Sequence, residues 1–194
     1  MATSGSDDDL AAATIGELKP YAIQVVLEDY NPRWPNWYAA EAASVRDALG
    51  SLVLRLEHTG STSVPGLAAK PVIDILLAVP DTTDEAAYIP ALEGIGYTLR
   101  IREPHWYEHR CLIRRVEDGA PYNVNLHVFS PELAAVEIER MLAFRDRLRT
   151  HDGDRAYYDA TKRELAQRSW KYVQHYADAK SDVVEAIMAR ALQG

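Results

Sequence analysis

Residues 57–79 read EHTGSTSVPGLAAKPVIDILLAV: a short strand-like lead, a loop of small residues, then a long apolar run. The pattern predicts a strand over 52–57, a glycine–serine–proline loop over 58–71 and a second strand over 72–79. Gly60 lets the backbone approach a ligand closely, and the amides and hydroxyls of Ser61, Thr62 and Ser63 can cradle a phosphate. This is not a Walker loop, which needs four residues between its glycines and then Lys-Ser/Thr; here five residues separate Gly60 from Gly66, and Leu67 follows. Asp74 stands alone among apolar neighbours. A carboxylate there needs a metal, a base or a position at the mouth of the strand, or else it caps the amides of the loop. Alternation places Val72, Asp74, Leu76 and Ala78 on one face.

The segment YNVNLHVF, residues 122–129, alternates in the same way, with Asn123, Asn125 and His127 on one side and Tyr122, Val124, Leu126 and Val128 on the other. A half-exposed strand accounts for Asn123. His127 suits a metal ligand or general base if it lies near a strand carboxylate, and a satisfied structural histidine otherwise. Further strands are predicted over 97–102 and 110–116, the latter joined to 122–129 by the turn Glu117-Asp118-Gly119. Helices are predicted over 36–49, with the stripe Tyr38, Ala42, Val45 and Leu49, and over 84–93. Ala134, Ile138, Met141, Leu142 and Leu148 form one later stripe, and Val183, Val184, Ile187, Met188, Ala191 and Leu192 another. This order predicts an α+β fold: a mixed-sheet core over 21–130, opened by a short strand at 21–27, with a helical region over 131–194 packed on it.

The net charge of −8 is uneven, with six acids against Lys19 alone in the first 30 residues. Residues 1–20 therefore read as a disordered acidic tail. No concentrated basic face exists to neutralise phosphates of a polynucleotide, so a small-molecule substrate is expected and nucleic acid is not. No run of 18 apolar residues occurs, so no membrane span is expected. Cys111 is the single cysteine, which fits a reducing, cytoplasmic setting. His105, His109 and Cys111 are too few for a zinc site. Lys70 is either a phosphate contact or solvated. Arg145 and Arg149, four apart on one helical face, either clamp an anion or pair with surface acids. The aromatics Trp106, Tyr107, Tyr157, Tyr158, Trp170 and Tyr172 are expected mostly in the core or an interface, with one or two free to stack a base.

On the block from Glu57 to Ile75 the chain resembles the GrpB-like family, whose hallmark is EHxGSTSVPGLxAKPxIDI and whose fold is similar to nucleotidyltransferases of the DNA polymerase β type. Tyr30, Trp34 and Glu41 match ahead of the block. His109-Arg110, Leu126-His127-Val128, Phe144-Arg145-Asp146, Leu148-Arg149, Tyr172 and Lys180 match after it. The resemblance implies that Gly60, Ser61, Thr62 and Ser63 hold the phosphates of a nucleoside triphosphate, expected to be ATP, with Lys70, Arg145, Arg149 and Lys180 as further contacts. It also implies Mg²⁺ on an acid–any–acid strand, where two ions ~3.5–4 Å apart clamp the reacting oxygens. Leu76 replaces the second acid here, so Glu57, His58, Asn125 and His127 are the candidates to complete the site. Asp74, Glu57 and His127 are the expected metal ligands, and Asp74 and His127 the expected catalytic pair. Three functions follow: nucleotidyl transfer to a small acceptor, a non-catalytic nucleotide- or cofactor-binding module of the kind fused to dephospho-coenzyme A kinases, or another ATP-dependent activation of a small molecule.

Overall fold

The long apolar run of residues 72–79 becomes a central strand because both of its faces are covered, as parallel pairing requires. In the computed structural model, which describes residues 6–18 and 25–191, five strands form one sheet. They are β1 (Arg55–Thr59), β2 (Val72–Ala78), β3 (Thr98–Glu103), β4 (His109–Arg114) and β5 (Asn123–Phe129), in the order β1-β2-β5-β4-β3. β2 and β5 are parallel, and the remaining pairs are antiparallel. The chain leaves β2 through helix α3 (Glu85–Gly94), builds β3 and β4 at the far edge, and returns as β5 beside β2. Asp74 thus lies opposite Asn125 on one side and Thr59 on the other.

One face of the sheet carries Ile73, Ile75, Leu77, Leu112, Val124, Leu126 and Val128. Helix α2 (Trp34–Leu49) lays Trp34, Ala42, Val45 and Leu49 on it, and α3 adds Tyr88 and Leu92. Glu41 points into this core and is 1% exposed. It accepts from Arg114 at 2.7 and 3.0 Å and from the Tyr97 hydroxyl at 2.7 Å, which compensates its desolvation. The opposite face carries Asp74, Leu76 and Ala78 with Asn125, His127 and Phe129. Helix α4 (Pro131–Thr150) covers only the Leu76, Ala78 and Phe129 end, with Ala134, Ile138 and Leu142. The Asp74 end is left to helices α5 (Asp152–Ala166), α6 (Val173–Asp178) and α7 (Ser181–Ala191). Val64 and Leu67 of the loop pack with Leu148, Tyr158, Val183 and Ile187, so the loop and the helical region share a core. Among the described residues, no helix is long and apolar enough to cross a membrane.

The expected disordered tail is corrected over residues 6–18. Helix α1 (Asp7–Ala13) opens on a capping box in which Ser6 and Asp9 satisfy each other's backbone amides. Three acids in the first turn favour the positive end of the helix, so they act as helix-starting residues as well as solvating charge. Thr14 bridges Ile101 on β3, the Ile15 amide donates to the Arg100 carbonyl at 2.8 Å, and the Arg100 guanidinium donates to the Ile15 carbonyl at 2.7 Å. Of the short strand expected at 21–27, residues 21–24 fall outside the described residues and 25–27 belong to no strand among the described residues; Glu28 then bridges Ala69. β1 begins at Arg55 because Gly50–Leu52 forms a 3₁₀ turn.

Because Ile15 packs against the main core, removing residues 1–18 is expected to lower the melting temperature by about 3–6 °C, the scale of ~1–2 kcal/mol in a chain of this size. An unchanged thermal transition would show that α1 is not docked.

Candidate functional site

Asp74 is held by its neighbours in the register. The Asn125 amide donates to its Oδ1 at 2.8 Å, and the Asn125 Oδ1 accepts from Arg115 at 2.7 Å, which fixes the direction of the amide. His127 Nε2 stands 3.8 Å from the same carboxylate oxygen. Gly60 passes directly over the other oxygen: a Cβ at residue 60 would lie 2.3 Å from Asp74 Oδ2, and its φ is +65°. Only glycine fits this crossing on both counts. Burial pushes the Asp74 carboxyl upward, but His127 as imidazolium, the Asn125 amide and Lys70 together outweigh it and hold the group below the ordinary carboxylate range. The side chain keeps 29% of its surface exposed, so it forms the floor of a recess that solvent reaches.

Cations line that recess. Lys162, on α5, is 1% exposed and donates to the Ser61 hydroxyl at 3.1 Å and to the Ala68 carbonyl, over the face of the Tyr158 ring. Lys70 and Lys180 lie over the Tyr176 ring, 5.7 and 4.7 Å from its centroid. Burial, reinforced by Lys180, pushes Lys162 down to about 7 and Lys70 down to about 8, and burial lowers Lys180 as well. Arg115 is depressed mainly by burial too. Lys70, Lys180 and Arg115 thus act on the Asp74 carboxylate, while Asp178 also faces Lys180 and Asp159 faces Lys162. The buried Tyr176 hydroxyl has no hydrogen-bond partner among the described residues.

Of the residues expected at the site, the fold gathers Gly60, Ser61, Lys70, Asp74, His127 and Lys180. Thr62 and Ser63 turn to the loop itself: Thr62 donates to the Val72 carbonyl at 3.3 Å and stands 3.0 Å from His58, and Ser63 donates to the Gly60 carbonyl at 2.6 Å. Arg145 and Arg149 brace the loop from its outer side. Arg145 bonds Glu57 at 2.8 Å and the His58 carbonyl at 3.1 Å, while Arg149 holds the Ser63 carbonyl at 2.9 and 3.0 Å. With Tyr30, Tyr38, Glu57 and Pro65 they line a separate recess of about 420 Å³. Glu57 is thus held by Arg145 and Arg55, away from Asp74. His58 lies on the other face, stacked on Tyr38 at 4.8 Å, and burial pushes it down to about 4. Leu76 is fully buried beneath α4. Among the described residues, no group of three or more His, Cys, Asp or Glu could hold a metal ion. The donor set, one carboxylate with Asn125 and His127 beside it, does not fit the two-ion arrangement.

Lys162, Tyr158, Tyr176, Arg115, His109 and Glu103 complete the surroundings of the site. Lys162 lies in the charged run Thr161-Lys162-Arg163-Glu164, which reads as a solvated helix face; only the packing of α5 on the loop buries it. A family model described as GrpB protein matches residues 24–190. The chain belongs to the GrpB family. It is 53% identical to a UPF0157 protein of Halalkalibacterium halodurans, over 97% of this chain and 93% of that protein. A solved structure, the conserved protein GrpB from Enterococcus faecalis, matches with a TM-score of 0.74 and 30% identity, covering 87% of this chain and 98% of that one. A dephospho-CoA kinase of Mycolicibacterium paratuberculosis is 29% identical over 77% of this chain, and the match spans 42% of that protein.

Two substitutions test this geometry. Leu76→Asp is expected to destabilise the fold by about 3 kcal/mol or more, because it buries a carboxylate under α4 without a partner. Gly60→Ala is expected to displace the Asp74 side chain and lower stability. Denaturant titrations check both, and a Leu76→Asp protein as stable as the parent would contradict the placement of α4.

Proposed function

We propose that the chain binds a nucleoside triphosphate through its phosphates at Ser61, Lys70, Lys162 and Lys180, and transfers the nucleotidyl group to a small-molecule acceptor. The observation that carries this reading is a cluster of three lysines beside the serine loop, Lys162 on the Ser61 hydroxyl and Lys70 and Lys180 over the Tyr176 ring, none of them in an ion pair among the described residues. An anionic ligand relieves the mutual repulsion of such a cluster. Phosphoryl chemistry depends mainly on positioning and on stabilising negative charge, and preorganised ammonium groups do this where a second carboxylate and its metal ion are missing. In this reading Lys162 and Ser61 hold the outer phosphates, Lys70 and Lys180 stabilise the departing pyrophosphate, and His127 receives the acceptor's proton beside Asp74. No step is assigned to Mg²⁺, because the donors present do not form the pair of sites that the fold resemblance implies.

A second reading, a nucleotide- or cofactor-binding module without transfer, is favoured by Leu76. The relative named as a dephospho-CoA kinase also supports it, since more than half of that protein lies outside the match. Calorimetric titration with the four nucleoside triphosphates, with and without Mg²⁺, tests what both readings share, and release of pyrophosphate on adding candidate acceptors separates them. Binding is expected without Mg²⁺. Lys162→Met, which leaves an apolar side chain of similar length, is expected to weaken it about tenfold or more, the scale of one charge-assisted hydrogen bond. Lysines that ionise at about 7 and about 8 in the free protein must be charged to hold phosphate, so binding takes up protons and weakens as the pH rises through that range. A protein that ignores every nucleoside triphosphate would overturn both readings.

A further inference from the structure

Four side chains form a continuous line across one face of the sheet, one from each of four neighbouring strands: Glu103 on β3, His109 on β4, His127 on β5 and Asp74 on β2. The register puts Glu103 opposite His109, and Cys111, two residues on from His109, opposite His127. His109 Nδ1 is 2.7 Å from Glu103 Oε2, His109 Nε2 is 3.1 Å from His127 Nδ1, and His127 Nε2 is 3.8 Å from Asp74 Oδ1. His109 is 3% exposed and caged, with the Phe129 ring stacked at 4.7 Å and the Trp106 ring edge-on at 4.9 Å. The hairpin that carries Trp106 turns through two consecutive non-glycine residues at positive φ, Tyr107 at 56° and Glu108 at 52°. Such conformations cost energy and persist where the surroundings impose them.

The line can be read by counting protons. Its three gaps each need one N–H to become a hydrogen bond, and two neutral imidazoles supply two. The gaps of 2.7 and 3.1 Å are hydrogen bonds, whereas 3.8 Å is too long for one. Burial disfavours a charged His109. With Glu103 accepting from His109 Nδ1–H, His109 Nε2 carries a lone pair and takes the N–H of His127 Nδ1. The missing proton is then the one between His127 and Asp74.

We propose that Glu103 and His109 are positioning residues that fix His127 as the Nδ1–H tautomer and leave its Nε2 bare beside Asp74 as the proton acceptor of the site. Its use in transfer rests on the nucleotidyl-transfer reading. There, the acceptor hydroxyl gives its proton to Nε2 and its oxygen bonds the α-phosphorus. The bond from that phosphorus to the bridging oxygen breaks, and pyrophosphate leaves. Nε2–H then faces the Asp74 carboxylate, which stabilises the imidazolium.

The tautomer is measurable without any nucleotide, by long-range ¹H–¹⁵N NMR of the full chain labelled at histidine, at about pH 7.5. The wild type is expected to show His127 with Nδ1 protonated and Nε2 bare. Glu103→Gln keeps an oxygen acceptor for His109 and is expected to preserve this pattern. Glu103→Leu and His109→Phe remove the chain of acceptors and are expected to shift His127 toward the Nε2–H form facing Asp74. Where pyrophosphate release is seen, Glu103→Leu is expected to lower kcat by ~10–100-fold with KM little changed, the usual scale for losing an orienting partner. Wild-type His127 protonated at Nε2, or an unchanged tautomer in both folded Glu103→Leu and His109→Phe, would overturn the proposal. Failure to bind nucleotides with the expected tautomer present would sink the nucleotide reading and leave the positioning line standing.

Discussion

A carboxylate in a central strand has to be compensated, and the compensation of Asp74 organises both halves of this chain. The parallel partner β5 supplies Asn125 and His127, the loop crosses overhead at Gly60 and brings Lys70, and the helical region contributes Lys180. Each support comes from a different element, so none can shift without altering the field at one group. Lys70, Lys162 and Lys180 are all depressed by burial, and Lys180 adds to the depression of the other two. Clusters of desolvated like charges reduce stability and are found where a ligand of opposite sign completes them.

The helical region is therefore a wall of the site and a brace for the loop. Arg149 and Arg145 hold carbonyls of the loop from α4, the Ala68 amide donates to Asp159 of α5 at 3.1 Å, and Lys162 pins the Ala68 carbonyl. Val64 and Leu67 of the loop share a core with helices α4, α5 and α7, while Ala69 joins the main core. A loop set by remote elements in this way keeps its amides and hydroxyls in place. α4 also covers Leu76, turning the position where a second acid would stand into core.

The two sides of the sheet have different tasks. The α2 and α3 side is a packed apolar core with one satisfied ion pair, Glu41 with Arg114, and is the stable platform. The other side is divided along the strands into an apolar end under α4 and a polar end facing the recess. Period-two alternation in β2 and β5 makes this possible, since every second residue of a buried strand can be polar without disturbing the platform behind it.

Much of this was legible from the chain alone. The alternation in VIDILLAV and YNVNLHVF set which residues share a face, the stripe of α2 set its buried side, and the block from Glu57 to Ile75 located the loop and Asp74 and pointed to the GrpB resemblance. These are local properties, written in spacings of two, three and four residues. Which distant charges meet was left to packing. Lys162 lies 101 residues from Ser61 and His109 lies 18 from His127, so neither contact leaves a periodic trace. Arg145 and Arg149 share a helix face as the spacing requires, but whether that face meets a ligand or the back of a loop depends on how α4 docks. Glu57 was a candidate metal ligand, and spacing alone gave no sign that Arg145, 88 residues on, would stand beside it. Even the acidic segment at 7–9 was ambiguous, because the same three aspartates suit solvent or a helix start, and the bridge from Thr14 to Ile101 selects the second. Periodicity fixes the direction of a side chain, and packing fixes what it finds there.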